Sequence, residues 1–319
     1  MSRFSPEGLS ERVLSGDPRA LARLISWVED ESLAARDALA ALHPHTGRAH
    51  LIGVTGAPGT GKSTLVNEMA KEYRRRELTV GIVAVDPTSP FSGGAILGDR
   101  IRMRELSGDP GIFIRSMATR GSLGGLARAT SEVVKLLDAA GFHKVLIETV
   151  GVGQAEVDIA RTAHTTIVVE APGFGDDIQA IKAGILEIAD VFAVNKADRE
   201  GADSAVIALQ MMLDLNHPEP GRWRPPIVKT VAIRGDGVPE LVASTEAHYS
   251  HLREGGLLAR KEEERVRDEL LALLQHELTA NLLGSLAPGE LDGWVRRVAR
   301  READPYSAVR ALTKDRNHR

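Results

Sequence analysis

Between about residues 49 and 245 the chain alternates short apolar runs with longer stretches of helical period. The runs are Leu51–Thr55, Val80–Val85, Ile112–Ser116, Val145–Thr149, Thr166–Glu170, Val191–Asn195 and Ile227–Val231. They are rich in Val and Ile, and most lack polar–apolar alternation. Such runs suit strands buried on both faces of a mostly parallel sheet. Helical stretches separate them over Lys62–Arg76, Leu126–Ala140, Ala155–Ala163, Ile178–Ile188 and Ala205–Leu215. The alternation predicts a doubly wound α/β domain over 49–245. Residues 1–48 carry only helical signals. Leu21, Leu24, Ile25 and Val28 recur at helical spacing behind Asp17-Pro18, an N-cap followed by a first-turn proline. A second helix is expected over Leu33–Leu42, ending before His43-Pro44. Residues 246–319 are helical again. Val266, Leu270, Leu273, Leu274, Leu278 and Leu282 form an apolar stripe, Ala287-Pro288-Gly289 breaks it, and a further helix runs over Leu291–Arg300. The predicted organisation is an α/β core with helical extensions at both ends.

Composition narrows the chemistry. The chain has 319 residues and no cysteine, which excludes disulfides, thiolate metal sites, iron–sulfur clusters and cysteine nucleophiles. Its 40 basic and 44 acidic residues leave a net charge of −4, so no global cationic field is available for nucleic acid or an anionic membrane. The N-terminal residues lack a signal-peptide core, and the longest apolar stretches are strand-sized. The expectation is a cytoplasmic protein, or the mature part of an organellar one, with neither a nucleic-acid nor a membrane partner. The ten histidines are scattered and read as surface or capping residues.

The first strand runs into Gly56-Ala57-Pro58-Gly59-Thr60-Gly61-Lys62-Ser63-Thr64. This is G-x-x-x-x-G-K-[ST] in the required context, a strand before and a helix after. Glycines let backbone N–H groups curl around phosphate oxygens, and the positive end of the following helix faces the same anion. Lys62 would reach the β/γ-phosphates, and the Ser63 hydroxyl would bind Mg²⁺.

A second motif, Asn195-Lys196-Ala197-Asp198, ends the strand Val191–Asn195. A carboxylate accepts both N1–H and the exocyclic amino group of guanine, a donor pair that adenine lacks. Asp198 is placed for that task, with Asn195 and Lys196 packing near the base. GTP and GDP are therefore the expected ligands. Past the next strand, the segment Val231-Ala232-Ile233 is a candidate base loop whose Ala232 N–H would meet the guanine oxygen. Many GTPases carry Ser where this chain has Val231. Acidic strand ends would complete the magnesium site: Asp86 after Ile82–Val85, and Glu148 after Val145–Ile147. Asp99, in a glycine-rich loop, is a further candidate. The group that orients the attacking water is harder to read. Ras-type enzymes place Gln directly after D-x-x-G, where this chain has Val152. Gln154 lies two residues further on, and Arg100, Arg102 and Arg104 are candidates for a finger-like charge.

Together these motifs resemble the MeaB/ArgK family of GTPases, over nearly the whole chain. The residues that carry the resemblance are Gly56–Thr64, Asp86-Pro87-Thr88-Ser89-Pro90, Gly98–Met103, Glu148–Gln154, Pro172–Lys182 and Asn195–Asp198. Glu148, in place of the more usual Asp of the third GTPase motif, is a family mark. The resemblance implies a P-loop G domain of the class shared with signal-recognition and nickel-insertion GTPases. It also implies a slow GTPase that acts as chaperone of an adenosylcobalamin-dependent acyl-CoA mutase, gating cobalamin delivery and protecting the enzyme. It further implies a homodimer formed through the C-terminal helices. Carried over by position, the switch regions would be 86–104, 151–156 and 173–182. Two other readings stay open: a P-loop kinase acting on a small molecule or protein, and a metal-insertion GTPase. The missing cysteines and the lack of a His-rich tract weigh against the latter.

Overall fold

The computed structural model describes residues 5–86, 106, 108–118, 125–149, 155–173, 187–215 and 221–314. All seven apolar runs are strands: β1 His50–Thr55, β2 Val80–Asp86, β3 Ile112–Ala118, β4 Lys144–Thr149, β5 Thr165–Glu170, β6 Val191–Val194 and β7 Ile227–Lys229. They form one sheet in the order β3-β2-β4-β1-β5-β6-β7, and every neighbouring pair is parallel. The expected mostly parallel sheet is thus parallel throughout. Parallel neighbours require a crossover between them, so all strands end at the same edge. β7 stops earlier than its apolar run because the chain turns back: Val231 pairs with Asp236 across a 3₁₀ turn, Ala232–Arg234.

Eleven helices lie among the described residues: α1 Pro6–Leu14, α2 Pro18–Glu29, α3 Leu33–Leu42, α4 Lys62–Arg75, α5 Gly125–Ala139, α6 Ala155–Thr162, α7 Ala202–Leu215, α8 Val238–Glu254, α9 Leu257–Ser285, α10 Glu290–Ala299 and α11 Pro305–Lys314. The Asp17 cap forms as expected, accepting from the N–H groups of Arg19 and Ala20 at 2.8 and 3.2 Å. The expected helix Ile178–Ile188 falls almost wholly outside the described residues. Helix α8 carries no clean apolar period because two positions of its buried stripe are polar. That stripe is Val238, Leu241, Val242, Thr245, His248 and Leu252.

The chain divides into two compact units, Met1–Lys261 and Glu262–Arg319. In the first, side chains of alternate strand positions enter different layers. Leu51, Val83, Val85, Val145 and Ile147 pack with α2 and α5 through Leu21, Leu24, Ile25, Val28, Val134 and Leu137. Ile52, Val54, Ile82, Leu146 and Val169 pack with α4 and α8 through Leu65, Met69, Tyr73, Leu241 and Val242. The N-terminal helices therefore help build one face of the sheet. In the second unit, Val266, Leu270, Leu274 and Leu278 of α9 lie exposed.

At the strand N-termini the structure corrects the reading of the histidines as surface groups. His50, His164 and His248 are buried. His50 Nε2 bonds Thr165 Oγ1 at 2.8 Å, and the same hydroxyl meets His248 Nδ1 at 3.0 Å. Lys144 Nζ donates to both carboxylate oxygens of Glu246 at 2.6 and 2.7 Å. The Tyr249 ring stacks on His50 with centroids 4.1 Å apart. These contacts bind α8 to the starts of β1, β4 and β5. Burial pushes His50 down to about 4 and His248 down to about 3. Burial alone would raise Glu246, but hydrogen bonds with His50 and Lys144 bring it down to about 2.

His50, His248 and Glu246 share one linkage sign. Below pH 6.5 the unfolded chain protonates its histidines while the folded one does not, so stability falls as pH drops from 6.5 towards 4 and 3. Glu246 adds to the loss as pH falls from 4.5 towards 2. Glu170, raised to about 7, and Asp190, also raised, oppose this loss as pH falls from 7. The slope of urea midpoints from pH 7.5 to 4 is therefore a sum of both signs, to which His50 adds an acid destabilisation on the order of 3 kcal/mol once pH reaches its folded value. His50→Gln should remove that contribution from the slope. An unchanged slope in this variant would remove His50 from the acid response.

Candidate functional site

At the carboxyl edge the loop after β1 meets the end of β4 through Glu148 and the segments after β6 and β7 through Asn195. Strand β1 sits centrally, between β4 and β5. The turn after β1 is possible only with glycine at two positions. Gly56 has φ +138°, and a Cβ there would lie 2.1 Å from the carbonyl oxygen of Val169. Gly61 has φ +96°, and a Cβ there would lie 2.4 Å from Asn195 Nδ2. Both residues escape that strain only because they lack the atom. Helix α4 begins directly after Gly61, so its first N–H groups point into the loop. Lys62 is buried, and its Nζ donates to the carbonyl oxygens of Gly56 and Ala57 at 2.7 and 2.9 Å. The cation is therefore folded over its own loop.

Ser63 and Glu148, 85 residues apart, are brought together. The Ser63 hydroxyl donates to Glu148 Oε1 at 2.6 Å. Behind them, the buried Thr149 hydroxyl donates to Thr55 at 3.0 Å, tying the ends of β4 and β1. A hydroxyl and a carboxylate at this separation form a hard-oxygen donor set, and the adjoining loop offers N–H groups for anions. That chemistry suits Mg²⁺ and phosphate. Asp86 is the last residue of β2, beside β4. Asp99, Arg102 and Gln154 lie outside the described residues, as do most of the segments 86–104, 151–156 and 173–182.

Asn195 ties together the elements around the loop. Its Nδ2 donates to the Thr60 carbonyl at 2.8 Å, while its Oδ1 accepts from the Ala232 N–H at 3.0 Å and the Thr230 hydroxyl at 3.2 Å. The side chain is 2% exposed. It thus joins the glycine loop to the turn after β7. The Ala232 N–H points at Asn195, so any contact of that N–H with a base is shared with Asn195. Lys196 Nζ reaches the Gly59 carbonyl at 2.6 Å. The Asp198 carboxylate remains partly open to solvent and meets Arg234.

Two neighbours escape sequence reading. Arg234 is one. Glu170, the last residue of β5, is the other. Burial raises its carboxyl to about 7, with Lys62 pulling the other way. Its position at a strand end is the available signal, the same signal that marks Glu148.

A parallel sheet with a glycine loop opening the helix after its first strand, and an N-K-x-D segment at the end of its sixth, defines a P-loop GTPase. Residues 21–286 match the model of the family described as methylmalonyl Co-A mutase-associated GTPase MeaB, and the chain belongs to that family. A protein of Pyrococcus abyssi is 49% identical over 310 residues, covering 96% of this chain and 95% of its own. The GTPase ArgK of Escherichia coli is 36% identical over 237 residues, covering 72% of each. A crystal structure of a LAO/AO transport system kinase superposes with a TM-score of 0.73 at 24% identity, covering 98% of both chains. At that identity the likeness speaks for a shared fold and not for a shared activity. The chain is accordingly a guanine-nucleotide-binding GTPase. Among the described residues no helix is long and apolar enough to cross a membrane.

Proposed function

We propose that this GTPase is a G-protein chaperone of an adenosylcobalamin-dependent acyl-CoA mutase of the methylmalonyl-CoA mutase type. In this role it gates cofactor delivery and protects the mutase in the cytoplasm. The observation that carries the reading is the match over 21–286 to a family described by its association with methylmalonyl Co-A mutase.

In this reading each site residue has a role. The N–H groups of the loop Gly56–Thr64 hold the phosphates. Lys62 leaves the carbonyls of Gly56 and Ala57 for the β/γ-phosphate oxygens, exchanging two neutral acceptors for anionic ones. Ser63, Glu148, Asp86 and Asp99 hold Mg²⁺, directly or through water; the 2.6 Å Ser63–Glu148 contact supports the first pair. When bound, Mg²⁺ supplies positive charge against the charge that builds on the phosphoryl oxygens. Asp198 reads the guanine, Lys196 packs along it, and Val231, Ala232 and Ile233 border it. Gln154 orients the attacking water and Arg102 supplies a finger-like charge; their sequence positions support these two roles. Hydrolysis is slow at rest, because Val152 stands where Ras-type enzymes place the Gln that orients the attacking water.

Exposed Val266, Leu270, Leu274 and Leu278 on α9 support a homodimer through the C-terminal helices, since contiguous exposed apolar faces mark interfaces. A pull-down from native extract, with the protein loaded with a non-hydrolysable GTP analogue, tests the partner. An acyl-CoA mutase is expected, and adding it purified should raise GTP turnover. Absence of the mutase, or turnover indifferent to it, would overturn the chaperone reading. Transfer of labelled phosphate to an acceptor would instead make the protein a kinase.

A further inference from the structure

We infer that Arg234 is a positioning residue for base recognition, holding the Asp198 carboxylate in the orientation that reads guanine. The inference rests on the reading of Asp198 given above. Arg234 ends the 3₁₀ turn Ala232–Arg234. Its Nη1 stands 3.5 Å from Asp198 Oδ2, while its Nε donates to Asp236 Oδ2 at 2.7 Å. One guanidinium thus links the base loop to the N-K-x-D segment.

The turn that carries Arg234 is held on several sides. Val231 N–H donates to the Asp236 carbonyl at 3.0 Å, closing the loop. Ala232 N–H is fixed on Asn195, three residues before Asp198. Gly237 has φ +75°, and a Cβ there would lie 2.0 Å from the Lys229 carbonyl oxygen, so the path back into α8 admits only glycine. With its backbone pinned, Arg234 delivers its head group from a defined direction.

The need for such a residue is physical. Asp198 is partly solvent-exposed, and an exposed short carboxylate samples several rotamers. Guanine recognition requires both oxygens in the plane of the base edge. Each carboxylate oxygen has two acceptor directions, so Arg234 can stay on Oδ2 while the base takes the other direction. The guanidinium then lowers the ordering cost of binding, the general benefit of a preorganised site. Asp236 on the same loop pairs with Arg234, Glu68 of α4 lies beside the neighbouring Gly235, and Lys196 of the N-K-x-D segment is turned to the Gly59 carbonyl.

The test compares GDP with IDP, which lacks the exocyclic amino group and so makes only one of the two carboxylate contacts. Arg234→Met keeps the side-chain bulk and removes the charge. It should weaken GDP binding by about three- to fivefold, the scale of an exposed ion pair. IDP binding should change less, so that the GDP/IDP affinity ratio falls. Arg234→Lys should restore part of the ratio. Equal losses for GDP and IDP would assign Arg234 to stacking or loop integrity and overturn the inference, as would an unmoved ratio. Asp198→Asn is run alongside. If that variant keeps its guanine preference, the reading of Asp198 itself fails. If it loses the preference while Arg234→Met leaves the ratio intact, only the role of Arg234 fails.

Discussion

Lys62→Ala should lower GTP turnover by about 10²–10³-fold, the cost of removing one well-placed donor from developing negative charge. Nucleotide binding should weaken in parallel, because a charge-assisted contact to phosphate is lost. The structure explains why the fold should survive. Lys62 opens α4 without anchoring it, since the helix is held by Leu65, Val66, Met69, Ala70 and Tyr73 in the sheet's core. The replacement frees the carbonyl of Gly56, which is buried, and that of Ala57, which is partly exposed, a local cost that leaves these core contacts in place. Phosphate release under single-turnover conditions, fluorescent GDP titration and a melting curve together check the result. Turnover within twofold of the parent would remove Lys62 from the reaction. Lys62→Arg should not rescue, because the rigid planar fork does not fit a pocket closed by two loop carbonyls.

Asp198→Asn should exchange base preference instead of abolishing binding. The amide keeps one acceptor and gains a donor. It therefore faces the exocyclic amino group of guanine donor to donor, and suits xanthine, whose C2 carries an oxygen. Sites built around hydrogen-bonded groups reject analogues that leave those groups unpaired by roughly 10⁴-fold. The GTP-to-XTP affinity ratio should fall by about that factor, shared between lost GTP binding and gained XTP binding. Titrations with both nucleotides give the ratio directly. The surroundings should hold through the change. Asn195 keeps the loop and the base turn joined, and Asp198 supports nothing buried. A variant that still prefers GTP would exclude Asp198 as the base reader.

Much of the site is legible in the chain because its chemistry is local. A phosphate loop needs its glycines, lysine and serine within nine consecutive residues, and a guanine reader needs its carboxylate three residues after a strand-end asparagine. The strands are legible for a related reason. Burial on both faces demands uninterrupted Val and Ile, which no exposed segment requires. Helix α8 escapes because its inward stripe substitutes Thr245 and His248 for apolar residues, and their partners are on other elements. The buried histidines look like surface groups for the same reason. Nothing near His50 in the chain announces Thr165, Glu246 or Tyr249, and single histidines have no period to reveal them.

The role of Asn195 shows how far the motif reaches. Its place beside the nucleotide is readable from the chain. That it is buried, donating to Thr60 and accepting from Ala232, is not. The same holds for Arg234, whose distance from Asp198 depends on the turn after β7.

By itself the sequence determined the class of this protein: a parallel α/β core, a phosphate loop and a guanine motif, each written in contiguous residues. Only the tertiary structure decided which distant groups share a site. It brought Ser63 to Glu148, Arg234 to Asp198 and α8 to the starts of β1, β4 and β5. The reason is that hydrogen bonds are short-ranged and depend on direction. Local periodicity shows that a residue must be buried or placed at a strand end, and only the crossing of elements shows which partner it meets there.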